Sequence, residues 1–154
     1  MPNSIRFRGA LCGVAAILLL MGCSTSAVDP NRPKVVPASG TVTYKGQPVE
    51  GAEVTFNNVK ANATGSAKTD ASGRFQLSTF GEADGVVPGP QAVAIRRVDV
   101  IDKTPPDVDV SAGGEAVPPE IRWIVPKEYA DSATSGLTAD VSESGPNEFR
   151  FDLK

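Results

Sequence analysis

Residues 39–56 read SGTVTYKGQPVEGAEVTF, and this stretch decides the fold class of the chain. Apolar and polar residues alternate along both halves of it, with Val42 and Tyr44 in the first half and Val54 and Phe56 in the second. A Lys-Gly-Gln-Pro sequence, which is typical of a turn, separates the two halves. Because successive side chains of a β-strand point to opposite faces, the pattern predicts two half-buried strands joined by a tight turn.

The same period of two recurs through the rest of the chain. Further strands are predicted at 75–77, 91–101, 121–125, 137–141 and 149–153. Within 91–101 the apolar phase changes at Arg96 and Arg97, which predicts a β-bulge whose two arginines lie on a solvated outer face. The sequence therefore predicts an all-β fold, a seven- to eight-stranded antiparallel Greek-key β-sandwich of immunoglobulin size.

The amino-terminal segment has the composition of an export signal. Arg6 and Arg8 precede an apolar run at 10–21 (ALCGVAAILLLM), which is shorter than the roughly 20 residues that span a bilayer. The run ends in Leu-Met-Gly-Cys, with Gly22 and Cys23 at its close, and this resembles the bacterial lipobox. The resemblance implies cleavage between Gly22 and Cys23, a diacylglycerol on the Cys23 thiol and an added acyl chain such as palmitate.

Three parts of the chain follow from these patterns. Residues 1–22 are predicted to be a lipoprotein signal peptide that forms a helix, 23–37 a lipidated flexible tether, and 38–154 the β-sandwich. The tether is rich in proline and shows no alternation, which is typical of a stiffened linker. The residue after the lipidated cysteine is Ser24, and in Gram-negative sorting a serine there favours the outer over the inner membrane.

The composition excludes several kinds of chemistry. The chain has no histidine, which removes a Ser-His-Asp triad, a Cys-His pair and a histidine-ligated zinc site. It carries 15 basic and 18 acidic residues, a net charge of -3, so no basic excess is present to neutralise nucleic-acid phosphates. We therefore expect no enzymatic activity, no cofactor and no nucleic-acid partner.

Two aromatic residues are the candidates for a binding surface. Trp123 and Tyr129 lie six positions apart near the end of the chain. If exposed, they can stack on a sugar or bind a partner protein. The alternative is that they cover an open end of the sandwich and anchor the connection at 126–136, as amphipathic aromatics commonly do.

The segment at 102–119 is a proline-rich acidic insertion. Five carboxylates lie in it or beside it, namely Asp99, Asp102, Asp107, Asp109 and Glu115. Calcium takes 6–8 oxygen ligands, but the spacing matches no EF-hand loop. We expect a solvated loop without regular structure and assign no metal ligand, although calcium binding stays open.

The sandwich resembles a known family. The stretch at 39–56 and the Thr-Asp-Ala-Ser-Gly-Arg-Phe sequence at 69–75 resemble the opening of carboxypeptidase regulatory-like domains, which are transthyretin-like sandwiches. The segment at 124–138, with Asn147 and the closing strand, is similar to small bacterial lipoproteins that carry this domain. Transthyretin-like hydroxyisourate hydrolases use histidines and a Tyr-Arg-Gly-Ser terminus, whereas this chain ends in FRFDLK. The resemblance implies the scaffold and an anchored location, but no established activity.

These observations predict a non-enzymatic, lipid-anchored protein of the cell envelope that serves as a structural or protein-interaction module. The alternative is a lipoprotein that binds a carbohydrate or another small ligand through the Trp123 and Tyr129 end of the sandwich. The expected partners are the membrane, through the lipid on Cys23, and an envelope protein or glycan of unknown identity.

Overall fold

The structure, a computed structural model, describes residues 31–108 and 110–154. The predicted signal peptide, the cleavage site at Gly22 and Cys23, and most of the predicted tether lie outside the described residues. Within the described part of the chain, no helix is long and apolar enough to cross a membrane.

The described residues form ten β-strands and two short 3-10 turns. The strands are β1 Ser39–Tyr44, β2 Gln47–Pro48, β3 Glu53–Asn58, β4 Ala63–Lys68, β5 Arg74–Gln76, β6 Gly89–Arg96, β7 Val98–Ile101, β8 Glu120–Trp123, β9 Leu137–Val141 and β10 Glu148–Leu153. The 3-10 turns are Val110–Ala112, inside the insertion predicted to lack regular structure, and Lys127–Ala130.

Eight of the strands form two four-stranded sheets. In the first sheet β1 is central, with β10 on one side and both β2 and β5 on the other. The second sheet has the order β4-β3-β6-β9. Since both sheets contribute to one apolar core, the predicted all-β sandwich is confirmed.

One strand pair differs from the expectation of wholly antiparallel sheets. β1 and β10 run parallel, from the pair Ser39 and Glu148 to the pair Tyr44 and Leu153. The alternation of apolar residues marks which face of a strand is buried, but the pattern is the same whichever way a neighbouring strand runs.

The core is built around a cluster of aromatic rings. Phe56 on β3 is fully buried, and its ring centroid lies 6.3 Å from that of Phe75, 5.4 Å from that of Phe149 and 6.0 Å from that of Phe151. The other three rings belong to β5 and β10, so these contacts join the second sheet to the first. The residues predicted to alternate inward on these strands are therefore the ones that pack in the core.

The strand predicted at 91–101 is divided in two, and this part of the prediction is wrong. β6 ends at Arg96, and β7 begins at Val98 as part of a separate two-stranded sheet. The guanidinium of Arg97 is not a solvated outer group, because its Nε donates to the Glu50 carbonyl at 2.8 Å and its Nη1 to the Val98 carbonyl at 2.6 Å. These bonds hold the corner at which the chain leaves the main sheet.

The last part of the predicted tether is packed on the sandwich. The compact unit begins at Arg32, earlier than the predicted boundary at residue 38. Val36 is 7% exposed, and its N–H and carbonyl pair with the carbonyl and N–H of Val86 at 2.9 and 3.0 Å. We call residues 32–37 the strap.

The two ends of the sandwich differ in what they carry. The strap meets the sandwich beside Val86, just before β6 begins at Gly89, and we call this the proximal end. The other end of β6, at Arg96, is the distal end, from which β7 and β8 project. An eight-residue strand is about 25 Å long, which is the length of β6 between these two ends.

Candidate interaction site at the distal end

β7 and β8 form an antiparallel ribbon, the β7–β8 ribbon, with one apolar face. The register places Val98 opposite Trp123 and Val100 opposite Ile121, and directly opposite residues share a face. Val100 is 63% exposed and Ile121 47% exposed. The ribbon therefore presents aliphatic side chains to solvent at the distal end.

The acidic insertion extends this apolar face. A cavity of about 540 Å³ lies beside Val100 and is also lined by Val117 and by prolines of the insertion, including Pro105 and Pro106. Val117 is itself 42% exposed. The segment predicted to be only a solvated acidic loop thus adds aliphatic and proline surface to the β7–β8 ribbon.

The opposite face of the ribbon carries Ile101 and several charged groups that pair with one another. Asp99 accepts hydrogen bonds from Arg97 at 2.7 Å and from Arg122 at 2.9 Å. The bond from Arg122, together with that from Arg97, holds the pKa of Asp99 below its ordinary value despite the cost of desolvation. Lys103 and Glu120 form a further ion pair at 2.8 Å. Two of these pairs, Asp99 with Arg122 and Lys103 with Glu120, connect the β7 side of the ribbon to β8.

Trp123 and Tyr129 lie in different surroundings. Trp123 is half-buried on the apolar face of the ribbon, with the cations of Arg96 and Lys127 at 6.0 and 5.9 Å from its ring centroid. Tyr129 packs against the core, and its hydroxyl accepts a bond from the backbone N–H of Lys154 at 3.5 Å. Neither aromatic side chain lines the cavity beside Val100, or three other cavities of the described surface with volumes of 270, 570 and 650 Å³.

The candidate calcium carboxylates are not gathered at one place. Asp99 is held by two arginines, and Asp102 accepts the backbone N–H of Thr104 at 2.8 Å. Asp109 lies outside the described residues. Among the rest, no group of three or more carboxylate, thiolate or imidazole side chains is placed to hold a metal ion.

A second set of polar contacts, which the sequence did not reveal, lies at the proximal end. The carboxylate of Asp84 accepts backbone N–H groups from Thr79, Phe80 and Gly81, and it forms an ion pair with Arg32 of the strap at 3.1 Å. The Arg32 guanidinium also lies 4.3 Å from the centroid of the Phe80 ring. Asp84 therefore organises its own loop and holds the strap to it.

The charge on Asp84 matters for this attachment. Partial burial raises the pKa of Asp84, but the three backbone donors and Arg32 outweigh it and hold the pKa below the ordinary value of 3.8. Since the folded-state pKa is lowered, the contribution of Asp84 to stability is present above that ordinary value. It is lost as the pH falls through the lower folded-state pKa.

The molecule is thus a β-sandwich domain with a two-sheet core, a strap and the β7–β8 ribbon. Apart from isolated side chains, its most exposed apolar surface lies on the ribbon and the insertion. The model of the carboxypeptidase regulatory-like domain matches residues 38–121, and the chain belongs to this family. The match covers β1 to β7 and the start of β8, whereas β9 and β10, which complete the two sheets, follow it. No curated protein and no solved structure matches the chain.

Proposed function

We propose that this protein is a lipid-anchored, non-enzymatic interaction module of the cell envelope, and that the apolar face of its β7–β8 ribbon is the surface that binds a partner protein. The observation that carries the proposal is the exposure of Val100 and Ile121 side by side on a projecting ribbon. Contiguous exposed apolar surface on a small domain is typical of a binding site.

The position of the ribbon supports this proposal. The chain joins the sandwich at the proximal end, through the strap, and the ribbon projects from the opposite end. Among the described residues, the strap pairs with Val86 and with neither strand of the ribbon. Anchoring through the chain that precedes the strap would therefore leave both ribbon strands free to contact a second protein.

The geometry favours a protein partner over the alternative of a carbohydrate or small ligand. Sugar binding at Trp123 and Tyr129 requires both rings to line a common groove, but Tyr129 packs against the core. Trp123 instead continues the apolar face of Val98, Val100 and Ile121. A face of three aliphatic side chains and one aromatic ring, bordered by charged residues such as Glu53 and Arg96, suits the side chains of a protein.

Lipid anchoring is tested at the two cysteines. Cys23→Ala is expected to abolish lipid attachment and processing, so that the variant keeps its predicted signal peptide and takes up no labelled palmitate. Cys12→Ala is the matched control, because Cys12 lies in the predicted signal peptide, and this variant should be processed and labelled like the parent chain. Equal processing and labelling of the two variants would contradict the proposal.

The interaction surface is tested by site-specific photo-crosslinking in intact cells. A photoreactive amino acid at position 100 is expected to give a discrete adduct, and one at position 59 none. Val59 is the matched control, since it is 76% exposed but follows β3 at the proximal end. Adducts of equal yield at both positions, or adducts at neither, would show that the ribbon is not the binding surface.

A further inference from the structure

The hydrogen-bonding phase of the ribbon shows which backbone groups of β8 face away from β7. The N–H of Ile124 donates to the carbonyl of Arg97 at 2.9 Å, so these opposite residues form a hydrogen-bonded pair. Such pairs alternate with non-bonded ones along an antiparallel ladder. Glu120 and Arg122 therefore direct their backbone groups toward β7, and those of Ile121 point outward.

The outward edge of β8 is free in the described part of the chain, whereas that of β7 is partly occupied. β7 is the one strand that pairs with β8 among the described residues. On β7 the outward-facing residues are Val98 and Val100, and the Val98 carbonyl already accepts the Arg97 guanidinium at 2.6 Å. A third strand can therefore add to the ribbon more readily beside β8.

The sequence of β8 is complementary to itself. If two copies of β8 pair antiparallel with Ile121 opposite Ile121, then Glu120 of each copy lies opposite Arg122 of the other. Opposite charges directly across an antiparallel pair are stabilising. In the same register, Ile121 of one copy and Ile121 of the other form a hydrogen-bonded pair. This agrees with the ribbon, in which the N–H and carbonyl of Ile121 point away from β7.

We propose that β8 pairs with β8 of a second copy of this chain, so that two ribbons form one four-stranded antiparallel sheet. The proposal rests on the proposed function, because it names a second copy of this chain as a partner of the same ribbon. The contact is made by the backbone edge of β8 and brings the apolar faces of the two ribbons side by side. On one face, Val100 and Ile121 of both copies form a continuous apolar row. On the other face, the charges alternate across the sheet. Asp99 and Arg122 of one copy already form an ion pair, as do Glu120 and Lys103 of the other copy. Pairing of the two β8 strands places Arg122 of the first copy opposite Glu120 of the second.

The same segment limits the assembly to two copies. Antiparallel pairing about Ile121 is isologous, so the edge that each copy offers is used up by the other and the contact closes. The pairing register places Trp123 opposite Pro119, which has no N–H, so the ladder ends there. The contact is small compared with stable interfaces, so we expect a weak dimer whose formation depends on concentration.

The register is tested with single cysteines in the full chain, solubilised in detergent and carrying Cys12→Ser. In a hydrogen-bonded antiparallel pair the Cα atoms lie about 5.5 Å apart, which is within disulfide range. Ile121→Cys is therefore expected to give a disulfide-linked dimer on mild oxidation. Glu120→Cys is the matched control, because the Cα atoms of the two copies of residue 120 would lie about 9 Å apart, beyond disulfide range. The parent chain without either substitution measures any disulfide-linked dimer that forms through Cys23.

The charge pattern is tested in the Ile121→Cys background. Glu120→Arg or Arg122→Glu alone places like charges opposite each other twice and should lower the yield of linked dimer about fivefold. The double change Glu120→Arg with Arg122→Glu should restore the yield. Within each copy the double change is unfavourable, because the arginine at position 120 lies beside Lys103 and the glutamate at position 122 lies beside Asp99. A recovery of the dimer yield can therefore arise only from contacts across the interface.

Three results would overturn the proposal. These are equal linkage at positions 120 and 121, no linkage at position 121 above the background, and a double variant no better than the single ones. They are distinguishable from failure of the proposed function. A discrete photo-crosslinked adduct at position 100 together with any of these three results keeps the interaction module and rejects the second copy as its partner.

Discussion

Phe151→Ala is expected to lower the free energy of unfolding of the compact unit by about 3–5 kcal/mol, which is the usual cost of truncating a buried phenylalanine. Phe151 is 7% exposed, and its ring lies 6.0 Å from that of Phe56 and 6.4 Å from that of Phe75. The substitution leaves a cavity between the two sheets, because these rings belong to three strands of the sandwich. Small domains have about 5–15 kcal/mol in total, so the loss is a large fraction.

Arg150→Ala is the matched control on the same strand. Arg150 is exposed and lies on the opposite face of β10, so its removal should change the stability by no more than about 0.5 kcal/mol. Urea unfolding of residues 32–154, followed by the fluorescence of Trp123, measures both variants. Equal shifts would mean that β10 does not pack as described.

The buried faces of the strands could be predicted from the sequence. Val54 and Phe56 are fully buried, and Phe151 and Leu153 are nearly so, as their alternation indicated. Period two depends on the geometry of a single strand, which local sequence determines. The parallel pairing of β10 with β1 could not be predicted, because it depends on how distant strands meet.

The ribbon could be predicted only in part. The phase change at Arg96 and Arg97 marked the correct position, but a bulge and a corner produce the same shift in a linear pattern. What separates them is the bonding of Arg97 to carbonyls of Glu50 and Val98, one of which is distant in sequence. The apolar alternation of β7 then indicated burial, whereas Val100 is exposed because β7 has left the sheet.

The candidate binding residues show the same limit. Trp123 lies on the exposed ribbon, but Tyr129 packs on the core, and no local feature of either sequence position distinguishes them. The role of Ile121 was missed because an isoleucine in an alternating strand is normally a core residue. Its exposure results from the position of β8 in a two-stranded sheet that lies outside the two packed sheets, which is a property of the tertiary structure.

The strap was missed for a physical reason as well. Its sequence is rich in proline and shows no alternation, as in a linker. It is nevertheless held to the sandwich by the Val36 and Val86 backbone pair and by the ion pair of Arg32 with Asp84. These contacts come from residues about 50 positions apart, as the separation of 52 between Arg32 and Asp84 shows, and composition does not encode them.

Gly85→Ala is expected to destabilise the compact unit by about 3 kcal/mol and to release the strap. Gly85 has a φ of 97°, which a residue with a Cβ adopts at a cost. A Cβ placed there would lie 1.9 Å from the carbonyl oxygen of Val36 and 2.8 Å from the nitrogen of Pro37. Because these are backbone atoms, no side-chain rotation relieves the overlap, and the strap must move.

Gly145→Ala separates the overlap from the backbone strain. Gly145 also has a positive φ, 121°, but a Cβ there meets no atom within 4 Å, so this variant should lose only about 1 kcal/mol. Trypsin provides the second measurement, since the bond after Lys34 lies in the strap and is protected while Val36 is paired with Val86. Under native conditions Gly85→Ala should be cut after Lys34 much faster than the parent chain, and Gly145→Ala at nearly the parent rate. If both glycine variants were cut at the same rate, the strap would not be held by its contact with Gly85.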